Sequence, residues 1–332
     1  MARCSRVPVS RVSEAPPPLL FVMGPTGAGK SALALALAAR LPVEIVSVDS
    51  AQVYRGFDIG TAKPNPAVRR RVAHHLLDIC APTAAYSAAQ FRLDAHSAIA
   101  AIRARGRLPL LVGGTGLYFR ALEQGLADLP AADPQVRAAL QAELVSAGAQ
   151  VLHARLAAID PRAAARIHPH DPQRLVRALE VHVVSGISQS ELWERARLTP
   201  HVGQVVKLVI APTDRTSLHR RLALRFALML ERGLINEVRA LRDLGGLDAR
   251  TPAMRTVGYR EVWCYLAGEY SRSDMIERGV VATRQLAKRQ LTWLRRESGC
   301  VWLDCTDSAL LDRVIHTIRE QVIFKRDDSD LE

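Results

Sequence analysis

The chain has 332 residues, of which 48% are hydrophobic and 23% are charged. This composition is typical of a globular protein and excludes a disordered chain, a collagen and a fibre. Lysine and arginine number 45 against 33 aspartates and glutamates. The formal net charge of +12 favours either a polyanionic partner, nucleic acid before membrane, or a merely soluble basic surface. The apolar run at residues 32–39 is far shorter than the ~20 residues needed to cross a bilayer, so we predict no membrane segment.

The N-terminus and the cysteines both favour a cytoplasmic protein. Residues 1–16 are basic and contain no apolar stretch, which excludes a signal peptide and predicts a disordered tail. The five cysteines are scattered and form no C-x-x-C pair, so neither a zinc ribbon nor a disulfide framework is indicated. His74, His75 and Cys80 are close in sequence but lack a familiar ligand spacing.

Short apolar runs alternate with helical segments in the first part of the chain. We predict strands at residues 19–23, 45–48 and 108–112, and helices at 31–41 and 91–105. Strand, helix and strand in this order indicate a parallel sheet with right-handed crossovers.

The pattern changes after about Gly125. Residues 134–197 form helical segments rich in alanine and arginine, broken at three X-Pro pairs, and contain no convincing strand. A strand at 205–210, long helices at 217–244 and 275–297, and a short strand at 301–303 follow. We therefore predict an α/β fold, a P-loop NTPase-like parallel sheet flanked by helices with an all-helical insertion domain. The predicted bounds are a core at 17–125 and 201–323, the insertion at 126–200, and disordered tails at 1–16 and 324–332.

Residues 24–31 read GPTGAGKS and match the P-loop pattern G-x-x-x-x-G-K-[ST]. Glycines let such a loop curl so that its backbone N–H groups and the following helix N-terminus face phosphate oxygens. Lys30 adds a mobile positive charge, and Ser31 adds a hydroxyl for magnesium. The predicted phosphate-binding residues are Gly24, Pro25, Thr26, Gly27, Ala28, Gly29, Lys30 and Ser31, with Ser31 as a Mg²⁺ ligand.

Asp49 follows the second predicted strand. A P-loop NTPase usually places such an acid after a later strand to hold magnesium, but the third strand here ends in Gly113-Gly114-Thr115. The carboxyl ends of parallel strands face the ligand crevice, which would place Asp49 beside the phosphate loop. The residues alone leave two interpretations equally open, a carboxylate used in chemistry or a cap of the next turn.

Two basic segments lie further along the chain. Arg221 and Arg225 are four residues apart, so they share one helix face, as an anion clamp or as a solvated basic surface. Residues 282–296 contain five basic residues and no acid, which suits either phosphate-backbone contact or a solvated face.

Six segments together resemble the bacterial tRNA dimethylallyltransferases, the tRNA isopentenyltransferase family. The resemblance runs from about residue 19 to 303 and is most specific in the second and fourth segments. The segments are GPTGAGKS (24–31), SVDSAQVYRGFDIGTAKP (47–64), LLVGGTGLYFRAL (110–122), ARIHPHDPQRLVRALEV (165–181), TVGYREVW (256–263) and ATRQLAKRQLTWLR (282–295).

The resemblance implies an enzyme that uses dimethylallyl diphosphate rather than ATP, with Mg²⁺. It would transfer the dimethylallyl group to N6 of the adenosine 3′-adjacent to the anticodon, in tRNAs reading codons that begin with U. The products would be N6-isopentenyladenosine and diphosphate. By the same resemblance Asp49 is the general base, Thr26 reaches the bridging oxygen of the diphosphate, and Arg225 clamps the phosphates.

The resemblance also implies that the tRNA anticodon stem-loop is the partner of a monomeric enzyme. The target base leaves its stack to enter the site, and the insertion binds the anticodon loop. The implied tRNA contacts are Asp49, Ser50, Ala51, Gln52, Thr115, Arg137, Gln173, Arg174, Leu175, Val176, Arg177, Arg255, Thr256, Val257, Gly258, Tyr259 and Arg260.

Three other functions remain open from the sequence. An adenylate isopentenyltransferase acting on free AMP, ADP or ATP would share the loop and the aspartate. The net charge, the DPQR segment and the basic C-terminal helix favour tRNA over it. A P-loop small-molecule kinase would need a lid of arginines, and the Gly-Gly-Thr strand end argues against one. A non-enzymatic RNA-binding protein would not need Lys30, Ser31 and Asp49 together.

Overall fold

The computed structural model describes residues 18–196 and 203–327. These residues form two compact units, one made of 18–123 and 203–327 and the other of 124–196. The predicted insertion at 126–200 falls in the second unit, except for 197–200, which lie outside the described residues. The predicted tail at 1–16 and the last residues, 328–332, lie outside them as well.

A six-stranded parallel sheet organises the first unit, which confirms the predicted α/β class. The strands lie in the order β3-β2-β4-β1-β5-β6. Their bounds are Leu19–Met23 (β1), Val43–Val48 (β2), His74–His75 (β3), Leu108–Gly113 (β4), Val205–Ala211 (β5) and Cys300–Asp304 (β6). β1 pairs with β4 on one side and with β5 on the other, so that Leu20 lies opposite both Leu110 and Val206. The central strands are buried on both faces, as their continuous apolar runs predict.

Four helices lie in the part of the chain that comes before the helices of the second unit. They are α1 at Lys30–Ala38, α2 at Pro66–Arg71, α3 at Ala88–Ala104 and α4 at Gly116–Gln124. Asn65 and Ser87 cap α2 and α3 through side-chain oxygens that accept from Val68 and Gln90 N–H.

The regular structure of the second unit consists of helices alone in its described residues. It contains α5 at Pro134–Ala147, α6 at Ala149–Ile159, α7 at Pro161–Arg166, α8 at Pro172–Ser185 and α9 at Gln189–Arg195. Asp160 and Asp171 cap α7 and α8, each directly before a proline at the first helical position. The X-Pro pairs at these positions therefore mark helix starts. A buried cluster around Leu140, Leu152 and Leu179 holds the unit together.

The chain then returns to the first unit. After β5 come α10 at Arg215–Glu231, α11 at Leu234–Asp243, a 3-10 turn at Ala253–Arg255, α12 at Tyr259–Leu266, α13 at Arg272–Leu294 and, after β6, α14 at Leu310–Asp327. The two faces of β1 pack differently. Leu20 and Val22 join the cluster that includes α1 and α14, whereas Phe21 and Met23 join the cluster that includes α3 and α4.

The structure departs from the predicted elements most clearly in three places. The single helix predicted at 217–244 is two helices, α10 and α11, because Gly233 adopts φ +100° between them, a conformation that ends a helix. The two-residue strand β3 was not predicted, since it is too short to show a pattern. α14 continues to Asp327, past the predicted start of the C-terminal tail at 324. In the part of the chain that the structure describes, no helix is long and apolar enough to span a membrane.

Candidate active site

The glycine-rich loop connects β1 to α1 at the carboxyl edge of the sheet. β1 ends at Met23 and α1 begins at Lys30, so residues 24–29 form the turn between them. Gly29 caps α1 with φ +85°, which glycine adopts without strain. A Cβ on Gly24 would lie 2.2 Å from the carbonyl oxygen of Ile210 on β5, so the loop needs glycine at this close approach. The local sequence therefore produces the strand, loop and helix that bind phosphate in other proteins.

Lys30 is half-buried over the loop, and its ammonium donates to the carbonyl oxygen of Pro25 at 2.8 Å. Burial lowers the pKa of Lys30 to about 8; the Asp49 carboxylate opposes this shift and the Arg225 guanidinium adds to it. Ser31 is exposed in the first turn of α1 and lines the same cavity as Lys30. The loop thus presents a cation and a hydroxyl together at a helix N-terminus.

Asp49 directly follows β2. Its Oδ1 accepts from the N–H groups of Ala51 at 2.8 Å and Gln52 at 3.3 Å, so the side chain does cap the next turn. Oδ2 accepts from none of the described residues, and Asp49 lines the cavity beside the loop. The turn cap and the free carboxylate oxygen therefore coexist in one residue. Ser50 N–H donates to the hydroxyl of Thr115 at 3.1 Å, which ties this turn to the end of β4.

A cavity of about 430 Å³ contains most of the predicted donor and base residues. Of those predicted residues, it is lined by Thr26, Gly27, Gly29, Lys30, Ser31, Asp49, Gln52 and Arg225. Gly24, Pro25, Ala28, Ser50, Ala51 and Thr115 lie in or beside the same segments but do not line it. At this size the cavity has room for a small diphosphate ester.

Arg225 on α10 is half-buried at this cavity, and burial lowers its pKa while Asp49 raises it. Arg221, one turn earlier, donates to Sγ of Cys305 at 3.2 Å. A Cβ on Gly29 would lie 3.6 Å from an Arg221 guanidinium nitrogen, so this arginine also approaches the loop. Both arginines thus face the phosphate loop, as the clamp interpretation requires.

The sequence missed much of the cavity lining, including Gln290, Arg232 and Lys63. Gln290 on α13 lies in the segment 282–295 that carries the resemblance, and Arg232 follows α10, which was predicted only as part of a helix. Lys63 lies in the segment 47–64 that carries the resemblance, and its fully buried ammonium lies 2.7 Å from the Tyr54 carbonyl oxygen and 2.7 Å from an Asp78 carboxylate oxygen. Tyr54 and Asp78 lie 9 and 15 residues from Lys63 and do not line the cavity themselves, so they fix the Lys63 ammonium from beside it.

The predicted tRNA contacts of the first unit are divided between surface and core. Arg255 and Arg260 are exposed, and Thr256 and Val257 are half-buried. Gly258 is buried. Tyr259 has no exposed surface; its hydroxyl donates to Glu237 and accepts from Gly60 N–H at 3.1 Å. The Tyr259 side chain is therefore a loop anchor, and the RNA contact predicted for this residue would have to involve its main chain.

The second unit shows the same division. Gln173 and Arg174 are exposed, whereas Leu175 and Val176 are buried in the unit's core. These two apolar side chains pack inside, so the RNA contacts predicted for these residues would have to involve their main chain.

A buried carboxylate accepts hydrogen bonds from two arginines of this unit. Arg137 and Arg177 both donate to Oε2 of Glu180, at 2.7 and 2.8 Å, while each keeps part of its surface exposed. Glu180 itself has no exposed surface and orders both guanidinium groups.

The lowered pKa of Lys30 predicts that diphosphate binding depends on pH. Above about pH 8 the unliganded protein loses the Lys30 proton, so the affinity for a diphosphate should fall, by up to ~10-fold per pH unit. Titration of inorganic diphosphate binding between pH 7 and 9.5 measures this. Lys30→Arg is the control, because arginine stays protonated and should remove the dependence. An equal slope in both proteins would contradict the assignment to Lys30.

The same shift affects folding with a defined sign. Between about pH 8 and the ordinary lysine value of 10.5, the unfolded chain binds more protons than the folded one at this site. Lys30 should therefore make the free energy of unfolding rise with pH across that window. Below pH 8 both states are protonated, and its contribution no longer changes.

The loop, the paired cations and the carboxylate at the cavity define a P-loop enzyme with a site for a phosphorylated substrate. The chain matches the family model described as IPP transferase over residues 52–297. It is 59% identical over 290 residues to the tRNA dimethylallyltransferase of Alkalilimnicola ehrlichii, covering 86% of this chain and 90% of that protein. It is 54% identical over 300 residues to that of Halorhodospira halophila, covering 90% and 96%.

Solved structures agree in fold. The tRNA isopentenylpyrophosphate transferase from Bacillus halodurans is 36% identical, with a TM-score of 0.67, covering 93% of this chain and 99% of that one. A eukaryotic dimethylallyltransferase described as acting on tRNA is 28% identical, with a TM-score of 0.75, covering 89% and 76%. The chain belongs to the IPP transferase family.

Proposed function

We propose that this protein transfers the dimethylallyl group of dimethylallyl diphosphate to N6 of the adenosine 3′-adjacent to the anticodon. The acceptors are tRNAs that read codons beginning with U, and the products are N6-isopentenyladenosine and diphosphate. The relatives at 59% and 54% identity are named tRNA dimethylallyltransferases, and the solved eukaryotic relative is described as acting on tRNA. A cytoplasmic location, where tRNA is found, and a monomeric state are both part of this proposal.

The observation that carries the proposal is that Asp49 lines the same cavity as Lys30 and Arg225. A diphosphate in the loop would place its leaving oxygen beside the two cations, which stabilise the charge that develops as the C–O bond breaks. Adenine N6 is a weak nucleophile because its lone pair is delocalised into the ring. As the C–N bond forms, N6 loses a proton, and Oδ2 of Asp49 would accept it.

The donor set fits magnesium held mainly by the substrate. Mg²⁺ prefers hard oxygen ligands and usually keeps several waters, with one or two protein ligands plus phosphate oxygens. Ser31 offers an exposed hydroxyl at the loop. The described residues contain no cluster of three or more histidine, cysteine or acidic side chains that would hold a metal without substrate. When bound, Mg²⁺ would neutralise part of the diphosphate charge.

The proposal is tested by incubating the protein with dimethylallyl diphosphate, Mg²⁺ and either unmodified tRNA or AMP. Mass analysis of the nucleosides should detect isopentenyladenosine in tRNA and none from AMP. Product from AMP alone would identify an adenylate isopentenyltransferase instead. A phosphorylated product formed with ATP would identify a kinase.

Binding of tRNA is expected to weaken steeply with salt, because cationic contacts to phosphate release counterions. Arg255 and Arg260 are exposed on the first unit and carry the clearest prediction. Replacing either by alanine should reduce the slope of log affinity against log salt by about one unit. Arg319→Ala, an exposed arginine on α14, is the control and should leave the slope unchanged. Equal slopes for all three variants would remove these arginines from the interface.

A further inference from the structure

The side-chain amide of Gln290 on α13 joins two segments that are far apart in sequence. Its Oε1 accepts from the backbone N–H of Thr26 at 2.8 Å. Its Nε2 donates to the carbonyl oxygen of Gly114 at 3.0 Å. Gln290 also lines the cavity that contains Lys30 and Asp49. One amide group therefore bridges the diphosphate loop and the end of β4 inside the candidate active site.

The two bonded segments carry the two halves of the proposed reaction. Thr26 belongs to the loop that would hold the leaving diphosphate. Gly114 precedes Thr115, whose hydroxyl accepts from Ser50 N–H at 3.1 Å, next to Asp49. The hydrogen-bonded path from the donor loop to the turn that holds the base thus passes through the Gln290 amide.

The absence of a side chain at Gly114 leaves space for this amide. A Cβ on Gly114 would lie 2.3 Å from Nε2 of Gln290, closer than real Cβ contacts come, so glycine makes room for the side chain. The requirement is one of space, because Gly114 does not adopt a left-handed φ. Helix α13, which holds Gln290, also exposes the cations Lys288 and Arg289.

Only a primary amide side chain of this length can make both bonds. Thr26 N–H requires an acceptor and the Gly114 carbonyl requires a donor, and glutamine offers one of each on a single planar group. A glutamate would lack the donor, and a methionine of similar volume would lack both.

We propose that Gln290 is a positioning residue for the transfer reaction, fixing the diphosphate loop at Thr26 relative to the Asp49 turn. This inference rests on the proposed function. Gln290 acts through Thr26 and Gly114 and takes no proton. Since Thr26 N–H is already engaged by Gln290, the loop's affinity for diphosphate does not depend on this N–H. Loss of the bridge therefore affects the rate of the chemical step rather than substrate affinity, as misplacement by about 1 Å can cost ~10²-fold.

The first test replaces Gln290 by methionine, which keeps side-chain volume and removes both hydrogen bonds. We expect single-turnover transfer to tRNA at saturating substrates to fall by ~10–100-fold. The dissociation constants for dimethylallyl diphosphate and tRNA, and the Tm, should stay close to those of the wild type. Gln285→Met is the matched control, because Gln285 is an exposed glutamine on the same helix and should transfer at the wild-type rate.

The second test disturbs the hydrogen bond between Gln290 Nε2 and the Gly114 carbonyl oxygen by changing residue 114. Gly114→Ala should displace Nε2 without changing α13, and should slow transfer similarly. If the two residues act through one bridge, Gly114→Ala should slow transfer no further in a Gln290→Ala background, where the shorter side chain leaves room for the added Cβ. Multiplication of the two defects would show independent effects and overturn the inference.

The remaining outcomes are equally decisive. A wild-type rate in Gln290→Met, or a loss of Tm and of both affinities in parallel with rate, would reduce Gln290 to a packing residue. Failure of the proposed function is distinguishable, because then the wild-type protein itself would not transfer the dimethylallyl group to tRNA.

Discussion

Asp49→Asn is expected to slow single-turnover transfer to tRNA by ~10²–10⁴-fold, the usual contribution of a general base. Asparagine keeps the size of the side chain and an oxygen that can accept from Ala51 and Gln52 N–H, so the turn cap survives. It replaces the free Oδ2 with an NH₂ group that cannot take a proton. The affinity for dimethylallyl diphosphate should persist, because the loop is unchanged.

Asp58→Asn is the matched control for this variant. Asp58 lies in the same segment, its carboxylate is largely exposed beside Lys63, and it does not line the cavity. Transfer by Asp58→Asn should remain near the wild-type rate. Should Asp49→Asn instead stay within a few-fold of the wild type, Asp49 is only a turn cap, and the proton must leave to a phosphate oxygen or a water.

Lys30→Ala is expected to reduce transfer by ~10²–10³-fold, as loss of a comparable electrostatic contact to a developing charge does. Lys30 lies half-buried in the loop and lines the same cavity as Arg225, where the leaving diphosphate is proposed to bind. The affinity for tRNA should hardly change, because this cation is not on the exposed basic surface. Single-turnover rates and separate binding titrations for the two substrates measure both effects.

Arg40→Ala controls for the loss of one positive charge. Arg40 is exposed just beyond the C-terminal end of α1, the helix that Lys30 begins. It should leave both the rate and the donor affinity unchanged. A defect in tRNA binding by Lys30→Ala as large as its defect in rate would place this lysine in the RNA interface instead.

The phosphate loop could be predicted from sequence because its requirements are local. Residues 24–31 contain the glycines, lysine and serine of the loop, and the flanking apolar run and helix supply the necessary context. Asp49 could be located for the same reason, since the end of a buried parallel strand faces the crevice. Its dual character could not, because the hydrogen bonds to Oδ1 and the free Oδ2 depend on the folded turn.

The predicted tRNA contacts show where a resemblance between sequences stops. Residues 173–177 and 255–260 were carried over as continuous segments, yet neighbouring side chains within each segment face different sides; only 173–177 lie wholly within one helix, α8. Leu175, Val176 and Tyr259 therefore lie in the core, while Arg174 and Arg260 are exposed. In α8 the period of 3.6 residues separates the two groups once the helix bounds are known, whereas over 255–260 the separation depends on the turn that leads into α12.

The sequence by itself determined the parallel α/β class, the phosphate loop and the acid beside it, because apolar period, glycine placement and strand ends are properties of neighbouring residues. Only the tertiary structure decided which distant side chains complete the site. Gln290 is 264 residues from Thr26 and 176 from Gly114, yet one amide bonds both. Such a contact depends on how α13 packs against the sheet, and packing follows from the summed burial of many side chains rather than from any local pattern.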